Sequence, residues 1–484
     1  MAETATQARY ENEQLYADHK KVYPQSVSGP FRRLKWAILA LTLGAYYLLP
    51  FVRWNRGPNA PDQAILVDLP NQRFYFFFIE IWPQEVYYLT GLLILAAVAL
   101  FLMNALAGRI WCGYTCPQTV WTDLFLLVER WVEGDRRERI KLDESPWSIS
   151  KARKKAMKHV AWIAIAWWTG GAWVLYFADA PTLVWQLATF QAPLTAWTWI
   201  GILTLTTYLL AGFAREQVCT YMCPWPRIQA ALTDEEALNV TYRIDRGEPR
   251  GSLKKAAALE AKGKPAGDCI DCYQCVAVCP TGIDIRAGIQ LECIQCGLCI
   301  DACDTVMRKV DRPTGLIGYD TDFNIAAREA GKPTHVRFIR PRTIVYAAII
   351  LIVSGLMLTQ LLTRDDFGLN VLHDRNPQFV RLSDGGIRNG YTVRLLNKAL
   401  EPRIFTLNIE GLPGARLEVI GIDTPKSASP SVEVGPDTTR ELRVLVFAPP
   451  DPARGVSTPV TFTATNLASD DVLRTSDFFK SPGD

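Results

Sequence analysis

The middle of this chain is organised by two cysteine runs, CIDCYQCVAVCP at residues 269–280 and CIQCGLCIDAC at residues 293–303. Both runs space their four cysteines identically, as C-x2-C-x2-C-x3-C. Bacterial proteins with two 4Fe–4S clusters use this spacing, and the fourth cysteine of each run binds the cluster of the other run. The pattern therefore predicts two iron–sulfur clusters and the transfer of single electrons.

Cross-ligation divides the eight cysteines between the two clusters. One cluster is assigned Cys269, Cys272, Cys275 and Cys303, and the other Cys293, Cys296, Cys299 and Cys279. A structural zinc site usually takes two separated pairs, whereas two runs of four in the same register favour iron–sulfur. Disulfides are the weaker alternative, because all twelve cysteines lie between residues 112 and 303. Asp304 replaces the usual proline after the last cysteine, and its charge is expected to lower the potential of that cluster.

Five apolar stretches are long enough to cross a bilayer, which takes about 20 residues. They lie at approximately 35–52, 86–108, 159–179, 195–214 and 342–362. Segments 109–158 and 215–341 contain eleven and seventeen Lys or Arg, whereas segment 180–194 contains none. Because positive residues accumulate on the cytoplasmic side, we expect the N-terminus and both basic segments in the cytoplasm. An odd number of spans then places the C-terminal part in the periplasm.

The basic segments also bear on what the chain binds. Runs of Lys and Arg beside apolar stretches favour contact with anionic membrane lipid over contact with nucleic acid. The chain contains no phosphate-binding loop and no dinucleotide fingerprint. Electrons are therefore expected from a partner protein or from quinol, and not from a nicotinamide cofactor bound by this chain.

Two further cysteine motifs follow the second and the fourth apolar stretch. They are Cys112-Gly-Tyr-Thr-Cys116-Pro117 and Cys219-Thr-Tyr-Met-Cys223-Pro224. Both have the pattern C-x3-C-P, which indicates an internal repeat. An i, i+4 spacing on a helix places both sulfurs on one face, so two facing pairs supply up to four thiolates at the membrane surface. Such thiolates select Cu(I), zinc or iron–sulfur, and a redox-active dithiol pair is an alternative that the sequence leaves open.

The composition changes after about residue 370. Short segments of alternating apolar and polar residues lie at 391–396, 404–409 and 441–447, with turn-forming clusters at 411–414 and 448–451. This pattern predicts an antiparallel β-sandwich of immunoglobulin-like architecture, although the Cys…Trp…Cys signature is absent. Docking of a partner or of a second copy of the chain is the expected role of this part.

The predicted fold class is a multi-domain membrane protein. It combines a five-span α-helical membrane domain, a cytoplasmic two-cluster ferredoxin-like insert and a C-terminal immunoglobulin-like β-sandwich. The predicted parts are a cytoplasmic N-terminal arm (1–34), a membrane domain with four spans and both C-x3-C-P motifs (35–250), the cytoplasmic insert (251–340), a fifth transmembrane helix (341–363) and a periplasmic domain (364–484).

The cysteine runs, with their neighbours from residue 269 to 286 and from 292 to 303, resemble the CcoG/FixG/RdxA family. The paired C-x3-C-P motifs, the five-span layout and the C-terminal sandwich are similar to that family too, so the resemblance covers nearly the whole chain. It implies a multi-pass protein of the bacterial inner membrane that acts in the assembly of cbb3-type cytochrome c oxidase. It also implies reduction of Cu(II) to Cu(I) for copper delivery.

The resemblance assigns roles to all twelve cysteines. The eight between residues 269 and 303 hold two 4Fe–4S clusters, and Cys112, Cys116, Cys219 and Cys223 are the implied catalytic and copper-binding residues. The implied partners are oxidase subunits, or a copper chaperone or transporter, and a cytosolic electron donor that the sequence does not identify.

Two other functions stay open. Membrane quinol dehydrogenases of the nitrate and nitrous-oxide pathways also combine C-x3-C-P motifs with ferredoxin runs, although they usually lack the exported sandwich. A quinol dehydrogenase subunit is therefore one alternative, and a non-catalytic scaffold for oxidase assembly is another. The sequence also leaves open whether the chain forms a homodimer.

Overall fold

The structure is a computed structural model that describes residues 21–57, 60–399, 401–422, 429–451, 454–469 and 471–482. The first 20 residues of the predicted N-terminal arm (1–34) lie outside the described residues. The chain divides into two compact units. The first contains the residues up to Val52 and Gln63–Met357, and the second contains Arg53–Asp62 and Leu358–Asp484.

The first unit is mostly helical. Its helices are α1 (Pro30–Leu48), α2 (Tyr87–Ala107), α3 (Ile110–Tyr114), α4 (Pro117–Glu133), α5 (Arg136–Glu144), α6 (Ile149–Val174), α7 (Ala180–Ala188), α8 (Leu194–Thr207), α9 (Trp225–Leu232), α10 (Ile244–Gly247), α11 (Leu253–Glu260), α12 (Gln274–Ala277), α13 (Leu298–Lys309), α14 (Asp322–Glu329) and α15 (Pro341–Leu362). Two π-helical turns cover Tyr208–Ala214 and Val218–Met222, and three 3-10 turns cover Leu49–Phe51, Pro83–Glu85 and Ile285–Ala287.

Two small antiparallel sheets complete this unit. Strands β1 (Ile65–Asp68), β2 (Arg73–Phe76) and β3 (Ile79–Ile81) form one sheet, and β4 (Asn239–Tyr242) pairs with β5 (Ile317–Asp320) in the other. The second of these sheets packs on the region that contains the two cysteine runs. Its Val240 and Ile317 share a buried cluster with Met307 of α13 and with cysteines of both runs. Each such fully buried side chain contributes roughly 1.5–3 kcal/mol to stability.

Among the residues that the structure describes, four helical segments are long and apolar enough to cross a membrane. They are Pro30–Phe51, Pro83–Ala107, Leu194–Ala214 and Pro341–Leu362, and they coincide with four of the five predicted spans. The predicted span 159–179 is helical only as far as Val174, within α6, and is not one of the four. Basic residues occupy the first turns of α6, and tryptophan, threonine and glycine lower the hydropathy of the rest. A five-span layout therefore stays a prediction.

The second unit is a β-sandwich, which confirms the predicted architecture. Its strands are β6 (Phe367–His373), β7 (Val380–Arg381), β8 (Ile387–Asn397), β9 (Arg403–Glu410), β10 (Arg416–Val419), β11 (Ser431–Val434), β12 (Thr438–Ala448), β13 (Ser457–Asn466) and β14 (Val472–Lys480). One sheet has the order β10-β12-β8-β6, with β7 paired to β8, and the other has the order β11-β9-β13-β14. All neighbouring strands are antiparallel.

The core of the sandwich lies between its two sheets. Alternate residues of each strand point inward, so Tyr391, Val393 and Val444 of one sheet meet Phe405 and Phe462 of the other. This alternation is the two-residue period of a strand with one buried face. The predicted segments 391–396, 404–409 and 441–447 lie within β8, β9 and β12.

The sandwich offers a matched pair of phenylalanines for a stability test. Phe462 on β13 is 1% exposed, and Phe478 on the neighbouring strand β14 is 52% exposed. We expect Phe462→Ala to destabilise the sandwich by about 3–5 kcal/mol, because it leaves a cavity in a packed core. Phe478→Ala should cost less than about 1 kcal/mol. Urea-dependent proteolysis of this domain in the full chain measures both, and equal losses would contradict the assigned core.

Candidate iron–sulfur and cysteine site

The two cysteine runs share one backbone pattern. In the first run Asp271 and Tyr273 have positive φ angles, of 56° and 55°. At the corresponding positions of the second run, Gln295 and Gly297 have φ angles of 55° and 72°. Residues other than glycine are uncommon in this left-handed region. Its recurrence at matching positions shows that the shared spacing produces a shared fold of both runs.

The fourth cysteine of the first run lies with the first three cysteines of the second. Cys279, Cys293, Cys296 and Cys299 line one cavity, which Cys275 of the first run also reaches. The rest of its lining is largely apolar and includes Val240, Ile283, Ile285, Ile294 and Leu298. The first four cysteines are the set that cross-ligation assigns to one 4Fe–4S cluster, and Cys275 belongs to the set assigned to the neighbouring cluster.

The other four ligands are grouped as well, and one of them lies at the protein surface. The Cys303 thiol is close enough to Cys269, Cys272 and Cys275 for their charges to act on it. Burial raises the pKa of Cys303 to about 12 and that of Cys275 to about 11, and nearby thiol and acidic groups contribute. Cys272 is exposed, in contrast to the buried Cys269, Cys275 and Cys303. This ligand group is therefore the one that a soluble partner can approach.

The two C-x3-C-P motifs form closely similar turns. In each, the backbone N–H of the second cysteine donates to the carbonyl five residues earlier. Cys116 donates to Trp111 at 2.9 Å, and Cys223 donates to Val218 at 2.7 Å. The predicted repeat is thus present in the backbone. Both motifs, however, end in an i→i−5 turn, which is wider than the i→i−4 turn of a regular α-helix.

The proline of each motif starts the next helix. Pro117 is the first residue of α4, and Pro224 immediately precedes α9. Proline suits this position because its φ is already helical and a first-turn N–H has no partner within the helix. Each motif therefore joins two helices at a fixed bend, with its cysteines at the junction.

The two motifs come together in the structure. The Cys112 thiol is close enough to Cys116, Cys219 and Cys223 for electrostatic interaction, and Cys219 interacts with Cys116 and Cys223 in the same way. Burial raises the pKa of Cys112 to about 12 and that of Cys219 to about 11. Both thiols are therefore neutral at neutral pH unless a metal ion or cluster deprotonates them.

The paired motifs lie directly against the second cysteine run. Cys112 and Cys219 pack on a buried apolar cluster that includes Cys296. Gly113 allows the close approach, because a Cβ there would lie 2.6 Å from the carbonyl oxygen of Ile294. The Tyr114 hydroxyl donates to the carbonyl of Cys296 at 3.0 Å. The C-x3-C-P cysteines are thus neighbours of one predicted cluster and not of the other.

Lys35 is a buried cation between these two groups of cysteines. It lies on α1, is 2% exposed, and forms a 2.9 Å ion pair with Asp123 of α4. Its charge acts on Cys219 of the second C-x3-C-P motif and on Cys296 of the second run. No local sequence pattern indicates that Lys35 lies beside these cysteines.

Arg109 is a second buried cation near both groups of cysteines. It is buried, its side chain donates to the carbonyl of Pro226 at 2.8 Å, and its charge acts on both Cys112 and Cys293. Its backbone N–H donates to the side chain of Gln295 at 2.8 Å. Arg109 and Lys35 each link one C-x3-C-P cysteine to one cysteine of the second run. No sequence motif marks either residue.

The second run also fixes the start of the first helix. Asp301 lies between Cys299 and Cys303, and its carboxylate accepts hydrogen bonds from the backbone N–H groups of Phe31, at 3.3 Å, and Arg32, at 2.8 Å. A carboxylate at a helix N-terminus contributes about 1 kcal/mol, because it pairs free N–H groups and the helix dipole. Helix α1 is therefore tied to the predicted cluster region.

A site for one metal ion is not formed by these groups. Across the described ranges, no three or more His, Cys, Asp and Glu side chains lie close enough together to hold a single ion. The eight predicted cluster ligands likewise form no single-ion site among the described residues. The structure therefore gives no direct support to the predicted copper ligation by Cys112, Cys116, Cys219 and Cys223.

Three family models match the chain. Residues 214–322 match a 4Fe-4S dicluster domain, and residues 89–133 match a 4Fe-4S binding domain. Residues 357–482 match the IG-like fold at the C-terminal of FixG. The first two matches include all twelve cysteines between them. They support the iron–sulfur chemistry of the chain, and they do not address copper.

Curated relatives match over nearly the whole chain. The nitrogen fixation protein FixG of Rhizobium meliloti is 52% identical over 474 residues, which cover 93% of this chain and 90% of that protein. The protein RdxA of Cereibacter sphaeroides is 50% identical, over 92% of this chain and 94% of its own length. A crystal structure of a FixG-related protein from Vibrio parahaemolyticus is 22% identical, covers 24% of this chain and 97% of its own, and has a TM-score of 0.20.

The contact between Gly113 and the backbone of Ile294 can be tested by adding one methyl group at Gly113. We expect Gly113→Ala to destabilise the first unit by about 1–3 kcal/mol, because the added Cβ meets the fixed backbone of Ile294. Gly201→Ala is the matched control, since nothing lies within 4 Å of a Cβ at that position. Thermal unfolding of both variants in detergent provides the measurement. A Gly113→Ala protein as stable as the parent would show that the turn does not pack on the second run.

Proposed function

Since this chain belongs to the FixG/RdxA family of 4Fe-4S proteins, we propose that it is a membrane electron-transfer protein that reduces Cu(II) to Cu(I). The Cu(I) would serve the assembly of a cbb3-type cytochrome c oxidase. One observation carries the proposal: the four C-x3-C-P thiols converge beside the second cysteine run. Each 4Fe–4S cluster, when bound, accepts or gives one electron, which is the number that Cu(II) requires.

The exposure of the cysteines indicates the direction in which electrons would pass through the protein. The ligand group that contains Cys272 reaches the surface, so it suits a soluble one-electron donor from the cytosol. Cys279 and Cys293 belong to the second group, which is enclosed between the first group and the C-x3-C-P turns. The thiols of Cys112 and Cys219 are then the exit, beside the membrane helices. Electrons in this order move from the surface of the insert toward the membrane.

Copper is the substrate in this proposal. One electron converts Cu(II) to Cu(I), and the product is stabilised by soft thiolate ligands. The buried cations Lys35 and Arg109 favour the thiolate form of the cysteines near them, which is the form that binds Cu(I). Handover of Cu(I) to an oxidase subunit, a copper chaperone or a transporter completes the proposed role.

The exported sandwich is proposed as the docking domain for such a partner. Its strand β14 is at the edge of a sheet and carries the exposed apolar residues Val472 and Phe478. Asn389 and Tyr391 of the other sheet already bond the backbone of Lys480 and Phe478, so the exposed apolar side chains, and not the strand edge, are the surface proposed for the partner. The core of the sandwich contains no arrangement that suggests catalysis, so partner binding fits this domain better than chemistry does.

The proposed location is the bacterial inner membrane, with the N-terminus and the clusters in the cytoplasm and the sandwich in the periplasm. The distribution of Lys and Arg supports this orientation. It requires a fifth span, and α6 is the helix that would supply it. With four spans, the sandwich and the N-terminus would lie on the same side.

A reporter test therefore decides the role of α6. We expect alkaline phosphatase fused after residue 484 to be active and green fluorescent protein at the same position to be dark, because the sandwich is exported. Fluorescent protein fused to the N-terminus should fluoresce and provides the control. The opposite pattern at residue 484 would show that α6 does not span the membrane.

Cu(II) reduction by the purified protein tests the activity. The protein is reduced anaerobically, freed of excess reductant and mixed with Cu(II), and Cu(I) is followed with a colorimetric chelator. We expect Cys112→Ala combined with Cys219→Ala to lower the rate by about tenfold or more, because it removes the exit thiols. Tyr221→Phe is the control, since Tyr221 is an exposed neighbour within the second motif.

Each other outcome assigns a different function. An unchanged rate in the double variant would remove the C-x3-C-P cysteines from the activity. Reduction of the clusters by quinol, with no transfer to copper, would identify a quinol dehydrogenase subunit. Full oxidase assembly by folded variants that lack cluster ligands such as Cys272 would identify a scaffold without catalysis.

A further inference from the structure

We propose that Cys112, Cys116, Cys219 and Cys223 together hold a third 4Fe–4S cluster, with two ligands from each C-x3-C-P motif. This inference rests on the proposed function and refines it, because it makes the exit for electrons an iron–sulfur site and not a copper–thiolate site. Three independent observations carry it: the number of ligands, the arrangement of the turns, and the charge around them.

The number of ligands is the first observation. Residues 89–133 match a 4Fe-4S binding domain, yet this segment contains only Cys112 and Cys116. A 4Fe–4S cluster normally takes four thiolates, so two must come from elsewhere. The dicluster match over residues 214–322 contains ten cysteines, of which eight belong to the two runs. The remaining two are Cys219 and Cys223.

The arrangement of the turns is the second observation. The structure brings these two pairs together, although more than 100 residues separate them in the sequence, and Cys112 and Cys219 pack on the same buried cluster. The same i→i−5 backbone bond closes each motif, so the pairs present their cysteines from similar turns. Cys112 and Cys219 each interact with the other three thiols, and yet the four do not form a site for a single ion among the described residues. The eight ligands of the runs likewise form no single-ion site there.

The surrounding charge and packing are the third observation. A 4Fe–4S cluster with four thiolates has a net negative charge, and burying it without compensation is costly. Arg109 and Lys35 are buried cations that act on Cys112 and Cys219, respectively. Apolar side chains, among them Ile294 and Leu298, pack beside the same two cysteines. The surroundings of the thiols therefore supply both positive charge and apolar packing for a buried anion.

Iron analysis separates this proposal from its alternatives. The full chain is purified anaerobically in detergent, and iron and acid-labile sulfide are counted per chain. Three clusters correspond to about 12 iron and about 12 sulfide, whereas two clusters correspond to about 8 of each. A value near 8 in protein that retains both signals of the runs would overturn the proposal. So would copper or zinc bound stoichiometrically at these four cysteines.

A double variant tests whether the C-x3-C-P cysteines bind the iron of the third cluster. We expect Cys116→Ala combined with Cys223→Ala to lose about a third of the iron, while the electron paramagnetic resonance signals of the other two clusters remain. Those remaining signals show that the variant is folded. Met222→Leu is the matched control, because Met222 is exposed, adjoins Cys223 and should leave the iron content unchanged. Equal iron in the parent and the double variant would contradict the assignment.

The two proposals fail in different ways. If the iron count is near 12 but Cu(II) is not reduced, the third cluster is supported and Cu(II) is not the substrate. If Cu(II) is reduced with the iron count near 8, the proposed Cu(II) reduction is supported and the third cluster is absent. Rapid alkylation of all four cysteines in iron-replete protein would also overturn the third cluster, because ligating thiolates are protected from the reagent.

Discussion

Packing of the first C-x3-C-P turn against the second cysteine run is the contact on which the rest of this arrangement depends. It is possible because Gly113 has no Cβ, so the turn can approach the backbone at Ile294. This contact brings the cysteines that follow the membrane helices next to one predicted cluster. Other contacts also join the two parts, among them Asp301 with the start of α1, but this one places the cysteine turn beside the second run.

Buried charge strengthens the same junction. Asp123 on α4 pairs with Lys35 at 2.9 Å and with Arg32 at 3.3 Å, both from α1. Asp301 from the second run caps the same helix. Removing one partner of a buried pair typically costs about 3–5 kcal/mol, because the other charge is left unpaired. These pairs hold α1, α4 and the second run in one position, and they also place positive charge where electrons are proposed to pass.

The sequence allowed the parts of this account that depend on local pattern to be predicted. Cysteine spacing predicted the grouping of Cys279 with the second run, and two-residue alternation predicted strands such as β8 and β12. The contacts of Lys35, Arg109 and Asp301 could not be predicted, since they join residues as much as 270 positions apart and no motif marks them. Composition alone does not mark α6 as a spanning helix, because basic residues occupy its first turns and tryptophan, threonine and glycine lower the hydropathy of the rest.

The most direct test of the central claim is a cryo-electron microscopy map of the anaerobically purified full chain. We expect one compact metal density surrounded by Cys112, Cys116, Cys219 and Cys223. This density should adjoin the second cysteine run at Gly113 and Cys296. A map in which the two C-x3-C-P pairs are apart, or in which the turn at Gly113 does not contact the second run, would contradict the central claim.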